Sequence, residues 1–373
     1  YIPIAQKGVT NIVTNVLENK LQTNIQIESI NIGFLNRIVL NNVIIEDQNN
    51  QELLTAAKLS AKLEILPLFK GEVSISSIQF YGFNMNLYRS ENDNKTNFQF
   101  LIDAFKTDKE SESDINLNIN SILIRKGLLS WHNRNYETTP DIFNYNHLDL
   151  EDISATISLK EFSKDSINLK VKKISAKDKS GLTLKKISFD FYANRDSFLI
   201  DKFRVELPKS FIELSTIKST YNQKDKTSNN NKKKETFTLE GRIKNSALYY
   251  HDFSAFYNPL KTLNQKEPIH LETDVIGSLE ELKINTFNIY TKSRSVDFDS
   301  KFVLKNINNK ESLEINSYIK KLYIDKDIAT AFSSLINENK TKEQLIALFP
   351  INIYGKGKYS HASSNTDLTI TTE

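Results

Sequence analysis

Apolar and polar residues alternate with a period of two along most of the chain. In "TNIQIESINIGF" Ile25 and Ile27 share one face, and Ile30, Ile32 and Phe34 follow after a one-residue slip. "NRIVLNNVIIED" repeats the scheme with Ile38 and Leu40, then Val43 and Ile45. The same spelling returns in "AKLSAKLEIL" (Leu59, Leu63), in "EVSISSIQF" (Ile75, Phe80), and in later segments as far as "LTITT". Such alternation is that of a half-buried strand, one face apolar and the other wet. Roughly twenty strands result, at the spacing of all-β chains. Their turns are built from Asn, Asp, Ser and Lys, with ten glycines in all, which favours an antiparallel meander over the glycine-coded coils of a parallel β-helix.

Four stretches change period. Val9, Ile12, Val13, Val16, Leu17 and Leu21 predict an amphipathic N-terminal helix, whose modest Val/Ile face suits covering the first strands better than lying on a membrane surface, the alternative for such a helix. "TNFQFLIDAF" places Phe98, Leu101, Ala104 and Phe105 at helical spacing, with Thr96 or Asn97 as its cap. "HDFSAFYNPLKTL" reads as a short aromatic helix or turn interrupted by Pro259. Residues 327–349 read as a helical hairpin whose second arm starts with Thr341 and Gln344 at capping-box spacing and stops before Pro350. Residues 222–236 carry no apolar side chain and predict a mobile polar loop between an N-terminal and a C-terminal half.

Composition narrows the function classes. The 373 residues are 39% hydrophobic and 25% charged, a globular balance. Basic and acidic residues number 49 and 46 for a net charge of +3, which supplies no electrostatic footprint for a nucleic acid. The absence of cysteine excludes disulfides, thiolate metal sites and cysteine nucleophiles. No apolar run approaches the ~20 residues that span a bilayer. The start at Tyr1 reads as a processed product or an excerpt.

Other groupings are weak as chemistry. The five histidines, His132, His147, His251, His270 and His361, show no i, i+4 pair or ligand triplet, so no metal site is expected. "YGKGKYS" lacks phosphate-loop spacing and reads as a turn between strands. Trp131 suits strand-edge packing, and Lys232, Lys233 and Lys234 suit a solvated loop. No catalytic triad or carboxylate pair stands out, and no cofactor or enzymatic activity is expected.

So many amphipathic strands can close as a sandwich, or form one long sheet that curls and keeps its apolar face inside a trough. An open apolar trough needs a cover, and lipid is the natural one. At about 0.8 kcal/mol per methylene, a long acyl chain faces a barrier of order ~10 kcal/mol in water, which such a trough would flatten. The lining is expected to include Ile25, Ile27, Ile32, Phe34, Leu40, Leu59, Leu63, Ile75 and Phe80, acting by contact burial alone.

The order of the N-terminal helix, "NRIVLNNVIIEDQNNQELLTAAKL", the "LPLFKGEV" bend and "NFQFLIDAF" resembles the N-terminal region of the TamB branch of the AsmA-like proteins, in its Bacteroidetes form. "FNYNHLDLEDISATI", "KSGLTLKKISFDF" and "PIHLETDVIGSLEELKIN" resemble later repeats of that family. The likeness is densest before Asp108 and contains no catalytic motif. It implies a translocation and assembly module component: a periplasmic β-taco groove, anchored in the inner membrane by an upstream helix, that carries phospholipid toward the outer membrane. It also implies, as an alternative, a scaffold that assembles outer-membrane proteins with a BamA-family barrel through strand edges. On this reading residues 1–110 form the family's helix and first strands. Residues 111–221 continue the groove, 222–236 form the loop, and 237–373 continue it again with the helical hairpin. The helix with Phe98, Leu101 and Phe105 would close, curve or gate the groove's start, although each residue taken singly also suits a core.

Overall fold

The computed structural model describes residues 14–15, 17–19, 21–33, 37–63, 73–92, 95–105, 115–116, 120–162, 166–223, 235–336, 338–360 and 363–372. The protein is mostly β, with 64% in strands, an open sheet arrangement that does not close into a barrel, and a few short helices. It divides into two compact units, Tyr1–Phe162 with Leu169–Lys185, and Ser163–Asn168 with Lys186–Glu373. The boundary expected at 222–236 therefore falls inside the second unit, between strands already paired at Asn222↔Thr236 and Gln223↔Glu235. The loop's centre, with Lys232, Lys233 and Lys234, lies outside the described residues.

The first unit contains β1 (Ile25–Gly33), β2 (Arg37–Glu46), β3 (Glu52–Leu63), β4 (Val73–Arg89), α1 (Gln99–Phe105), β5 (Ile115–Asn116), β6 (Ser121–Asn133), β7 (His147–Phe162) and most of β8 (Ser166–Asp178). Strands β1 to β4 pair antiparallel in sequence order. Next, β4 pairs in parallel with β6, so the chain must cross back between them, and that crossover carries α1. Of the N-terminal helix, Thr14, Asn15, Leu17, Glu18, Asn19 and Leu21 are helical and Leu21 is buried. Val9, Ile12, Val13 and Val16 lie outside the described residues.

Registers turn the alternation into apolar rungs across the sheet. One rung runs Ile25, Ile45, Leu54, Met85, Leu129, Leu150, and another Ile30, Leu40, Leu59, Phe80, Ile124, Ala155. Between them every strand takes a three-residue step: Ile27 to Ile30, Leu40 to Val43, Ala56 to Leu59, Phe80 to Phe83, Ile124 to Gly127, Leu150 to Ile153. An extra residue flips the phase of a strand, so an apolar face survives only if its neighbours flip at the matching level. Asn42, Gly82, Lys126 and Asp152 occupy these steps with φ between 47° and 60°. At the same level the Phe83 ring lies over Gly127, where a Cβ would stand 2.4 Å from the ring.

The second unit holds most of β9 (Thr183–Asn194), then β10 (Ser197–Glu206), β11 (Phe211–Gln223), β12 (Glu235–Ala247), β13 (His270–Ser278), β14 (Glu281–Tyr290), β15 (Val296–Lys305), β16 (Glu314–Ile324), β17 (Ile351–Ser360) and β18 (Ser363–Thr372). From β9 to β18 each strand pairs antiparallel with the next. "YGKGKYS" is not a turn: Gly355 and Gly357 sit inside β17. Gly355 has φ of 143°, and a Cβ there would meet the Asp367 carbonyl of β18 at 2.1 Å, which is why glycine stands in mid-strand. The expected aromatic turn is a pair of 3-10 helices, Tyr250–Phe253 and Asn258–Thr262, the second opening on Pro259. The helical hairpin is α2 (Lys326–Ser333) and α3 (Asn339–Ala347). α3 starts before the expected capping box, and Thr341 instead donates its hydroxyl to Glu338 at 2.7 Å.

Replacing Lys126 by glycine, which accepts its backbone angle freely, is expected to leave stability unchanged or raise it by about 1 kcal/mol. Deleting Lys126 should instead put Ile122 and Ile124, or Leu129 and Trp131, on the polar face and abolish cooperative unfolding. Urea unfolding followed by circular dichroism reads both outcomes.

Candidate functional site

The sequence-predicted lining residues are brought together in the first unit. Ile25, Ile27, Leu40, Leu59 and Phe80 belong to its apolar rungs. Ile32 pairs with Ile38 and Leu63 with Ile75 in backbone register, while the side chains of Ile32, Leu63 and Ile75, and Phe34 altogether, lie outside the described residues. This face is well packed. Ile25, Ile30, Val43, Leu54, Ala56, Phe83 and Ala155 are all buried, and Leu54, Ala56 and Phe83 form a core cluster with Leu59, Phe80 and Ile124 against it.

The second unit is built from the same kind of rungs, and its apolar face is less covered. One rung runs Phe203, Leu214, Ile243, Thr273, Phe287, Ser300, Ile319, Gly355, Leu368. The next runs Ile200, Ile217, Gly241, Val275, Ile284, Phe302, Ser317, Gly357, Thr366. Of these rung residues only Ser300 is buried, and every apolar side chain among them is half-buried or exposed. Phe287 meets Phe298 and Phe302 edge-to-face at 5.8 and 5.6 Å above the small Ser300. The opposite face carries solvent-facing ion pairs, among them Arg242–Asp274 at 2.6 Å and Lys321–Asp297 at 2.8 Å. The sheet is therefore amphipathic, and the less covered apolar face belongs to the unit from which no lining residue was predicted. Its signal was present in "LKINTFNIYT" and "SVDFDSKFVLK", which alternate as clearly as the N-terminal strands.

The α1 segment is held by a polar network rather than by a helix cap. Asp47, 1% exposed in the β2–β3 turn, accepts hydrogen bonds from Asn49 N–H (2.8 Å), Gln51 N–H (3.0 Å), the Tyr88 hydroxyl (2.8 Å) and the Asn97 side-chain amide (3.3 Å). Asn97 also donates to the Asn86 carbonyl at 2.9 Å and accepts from Tyr88 N–H at 2.9 Å. Asn97 is thus a clamp between the β2–β3 turn and β4, not the expected cap. The Thr96 hydroxyl has no partner either, and only the Thr96 carbonyl accepts, from Gln99 N–H. Clamped in this way, the segment lays the Phe98 ring against Trp131 at 6.4 Å, and Trp131 is paired with Leu87 and Leu148 on the apolar side of β6. Leu101 is half-buried, and the Phe105 side chain lies outside the described residues.

Burial alone raises the Asp47 pKa, but the hydrogen bonds from Gln51, Tyr88, Asn49 and Asn97 outweigh it and hold the carboxyl below its ordinary value. The Tyr88 hydroxyl is pushed up, first by burial and then by the adjacent carboxylate. A comparable anchor occurs in the second unit, where Asp252 accepts from Lys209 N–H (2.8 Å) and Ser210 N–H (2.6 Å) and ties the first 3-10 helix to the β10–β11 turn.

Two of the scattered histidines do meet. His132 and His147 are register partners across β6 and β7, with their Nδ1 atoms 3.3 Å apart, and Asp149 lies 3.5 Å from His132 Nε2. Among the described residues no group of three or more His, Cys, Asp or Glu side chains could hold a metal ion. Among them, too, no helix is long and apolar enough to cross a membrane. No family model, curated protein or solved structure matches the chain.

Because the folded Asp47 pKa is lowered, its stabilisation is complete above the unfolded value of about 3.9 and is lost as the pH falls through the lower folded value. Asp47→Asn is expected to cost about 1–3 kcal/mol at pH 7. The variant should also lose the acid-dependent part of this increment, so urea midpoints of the two proteins should stay apart from pH 7 down to about pH 4 and converge only below it.

Proposed function

We propose that the protein is a non-enzymatic, periplasmic lipid-transfer conduit that moves phospholipid between inner and outer membranes along an apolar β-groove. The observation that carries the reading is the half-exposed apolar face of the second unit, built from consecutive rungs of Ile, Leu, Val and Phe. A contiguous face of this kind, backed by a charged opposite face, favours an apolar occupant over water. An extended acyl chain fits it without a specific polar partner, because the gain comes from contact burial of each methylene. The resemblance to the N-terminal region of the TamB branch supports the compartment, the two membranes and an upstream inner-membrane anchor. On this reading the segment from Asn97 to Phe105 closes one end of the first unit's apolar face, held there by Asp47.

Native mass spectrometry of gently purified protein is expected to recover bound phospholipid. Ile319→Asp places a charge mid-rung between Ser300 and Gly355, at a half-exposed position, and should reduce bound lipid to background while leaving the urea midpoint nearly unchanged. Lipid-free wild-type protein, or undiminished lipid on Ile319→Asp, would overturn the reading.

A further inference from the structure

We propose that a cavity in the second unit is a binding site for a primary ammonium group carried on a short carbon chain. The cavity holds about 310 Å³ between the first 3-10 helix, the residues that lead into β13, the β14–β15 turn and the N-terminal end of α2. That volume is of the order of small-molecule sites. Its apolar wall is a corner of two rings, Tyr250 and Phe332, whose centroids stand 5.2 Å apart at 74°. Burial alone pushes the Tyr250 hydroxyl up from its ordinary value, and among the described residues that hydroxyl has no hydrogen-bond partner. Such a wall leaves an electron-rich ring face and an unused acceptor to a guest.

The charges on the lining fix the sign of that guest. Three carboxylates, Glu267, Asp325 and Asp327, stand against one ammonium, Lys266, which leaves a net charge of −2. Lys266 and Asp327 are spent on each other at the exposed rim, 3.0 Å apart. Glu267 accepts from the Ser293 hydroxyl and, at 3.2 Å, from Ser293 N–H. The Ser293 hydroxyl before all else holds the Glu267 carboxyl below its ordinary value, so it is ionised at neutral pH. Asp325 caps α2 through one oxygen, which accepts from Asp327 N–H (2.6 Å) and Ile328 N–H (3.2 Å), and its second oxygen is unpaired among the described residues. An anion is repelled here, and a neutral polyol leaves both carboxylates uncompensated. An ammonium offers three N–H donors to these acceptors, and its carbon chain suits the rings. A free amine and an aminated lipid head group share this chemistry. The site does not rest on lipid carriage by the apolar face.

Saturation-transfer NMR with ethanolamine on the full chain is expected to show saturable binding, and choline, which has no N–H to donate, should bind about tenfold more weakly. Glu267→Gln keeps an acceptor for Ser293 but removes the charge, and should weaken ethanolamine about tenfold. Tyr250→Phe keeps the ring and should weaken it about threefold. Asp274→Asn, which removes a carboxylate paired with Arg242 on the opposite sheet face, should leave binding unchanged. Glycerophosphoethanolamine separates the two sources. Binding tighter than that of ethanolamine, with the gain lost in Lys266→Gln, identifies a head group, whereas no gain identifies a free amine, and both results support the site. No saturable ethanolamine binding, choline binding as tightly as ethanolamine, or binding indifferent to Glu267→Gln would each overturn it.

Discussion

A sheet face remains apolar across many strands only where each extra residue is accommodated without turning the rest of its strand over. In the first unit that constraint is met by a three-residue step in each of six strands, four of them with a residue held at positive φ. In the second unit the extra residues fall in β10, β11, β12, β14 and β16, with regular strands between or beside them. The solutions differ, but both preserve the rungs. Packing, burial and the accessible apolar surface all follow from where these extra residues fall, because an extra residue that no matching step or bulge absorbs would turn half a strand inside out.

The buried Asp47 shows how an irregular segment is fixed to such a regular frame. Helix α1 has seven residues, too few to be stable alone. Its position comes from Asn97, whose amide satisfies groups on the β2–β3 turn and β4 at once. The Phe98–Trp131 contact then follows from where the polar clamp holds the chain. Asp252 serves a similar purpose for the 3-10 helix of the second unit, with one carboxylate oxygen accepting two backbone N–H groups.

Much of this was legible in the alternation. The strands, the phase slips at Ile27–Ile30 and Leu40–Val43, the helical hairpin and the brief helix after Asn97 can all be read from local period. What could not be read depends on partners distant in sequence. Asp47 and Asn97 meet across fifty positions, and His132 meets His147 only because of the β6–β7 register. Gly355 and Gly357 read as a turn because glycine usually marks one, whereas here the adjacent strand excludes a side chain. Coverage of an apolar face is likewise a property of what lies above it, which alternation cannot encode. That is why the more exposed face was not the one from which the lining residues were drawn.

The parallel step from β4 to β6 gives the first unit a directional topology. Antiparallel neighbours joined by tight turns can peel away one hairpin at a time, each loss affecting only the adjoining ladder. The β4–β6 ladder is closed instead by a long crossover, so its formation must await a large loop closure. Kinetically, that seam is where the first unit is slow to knit.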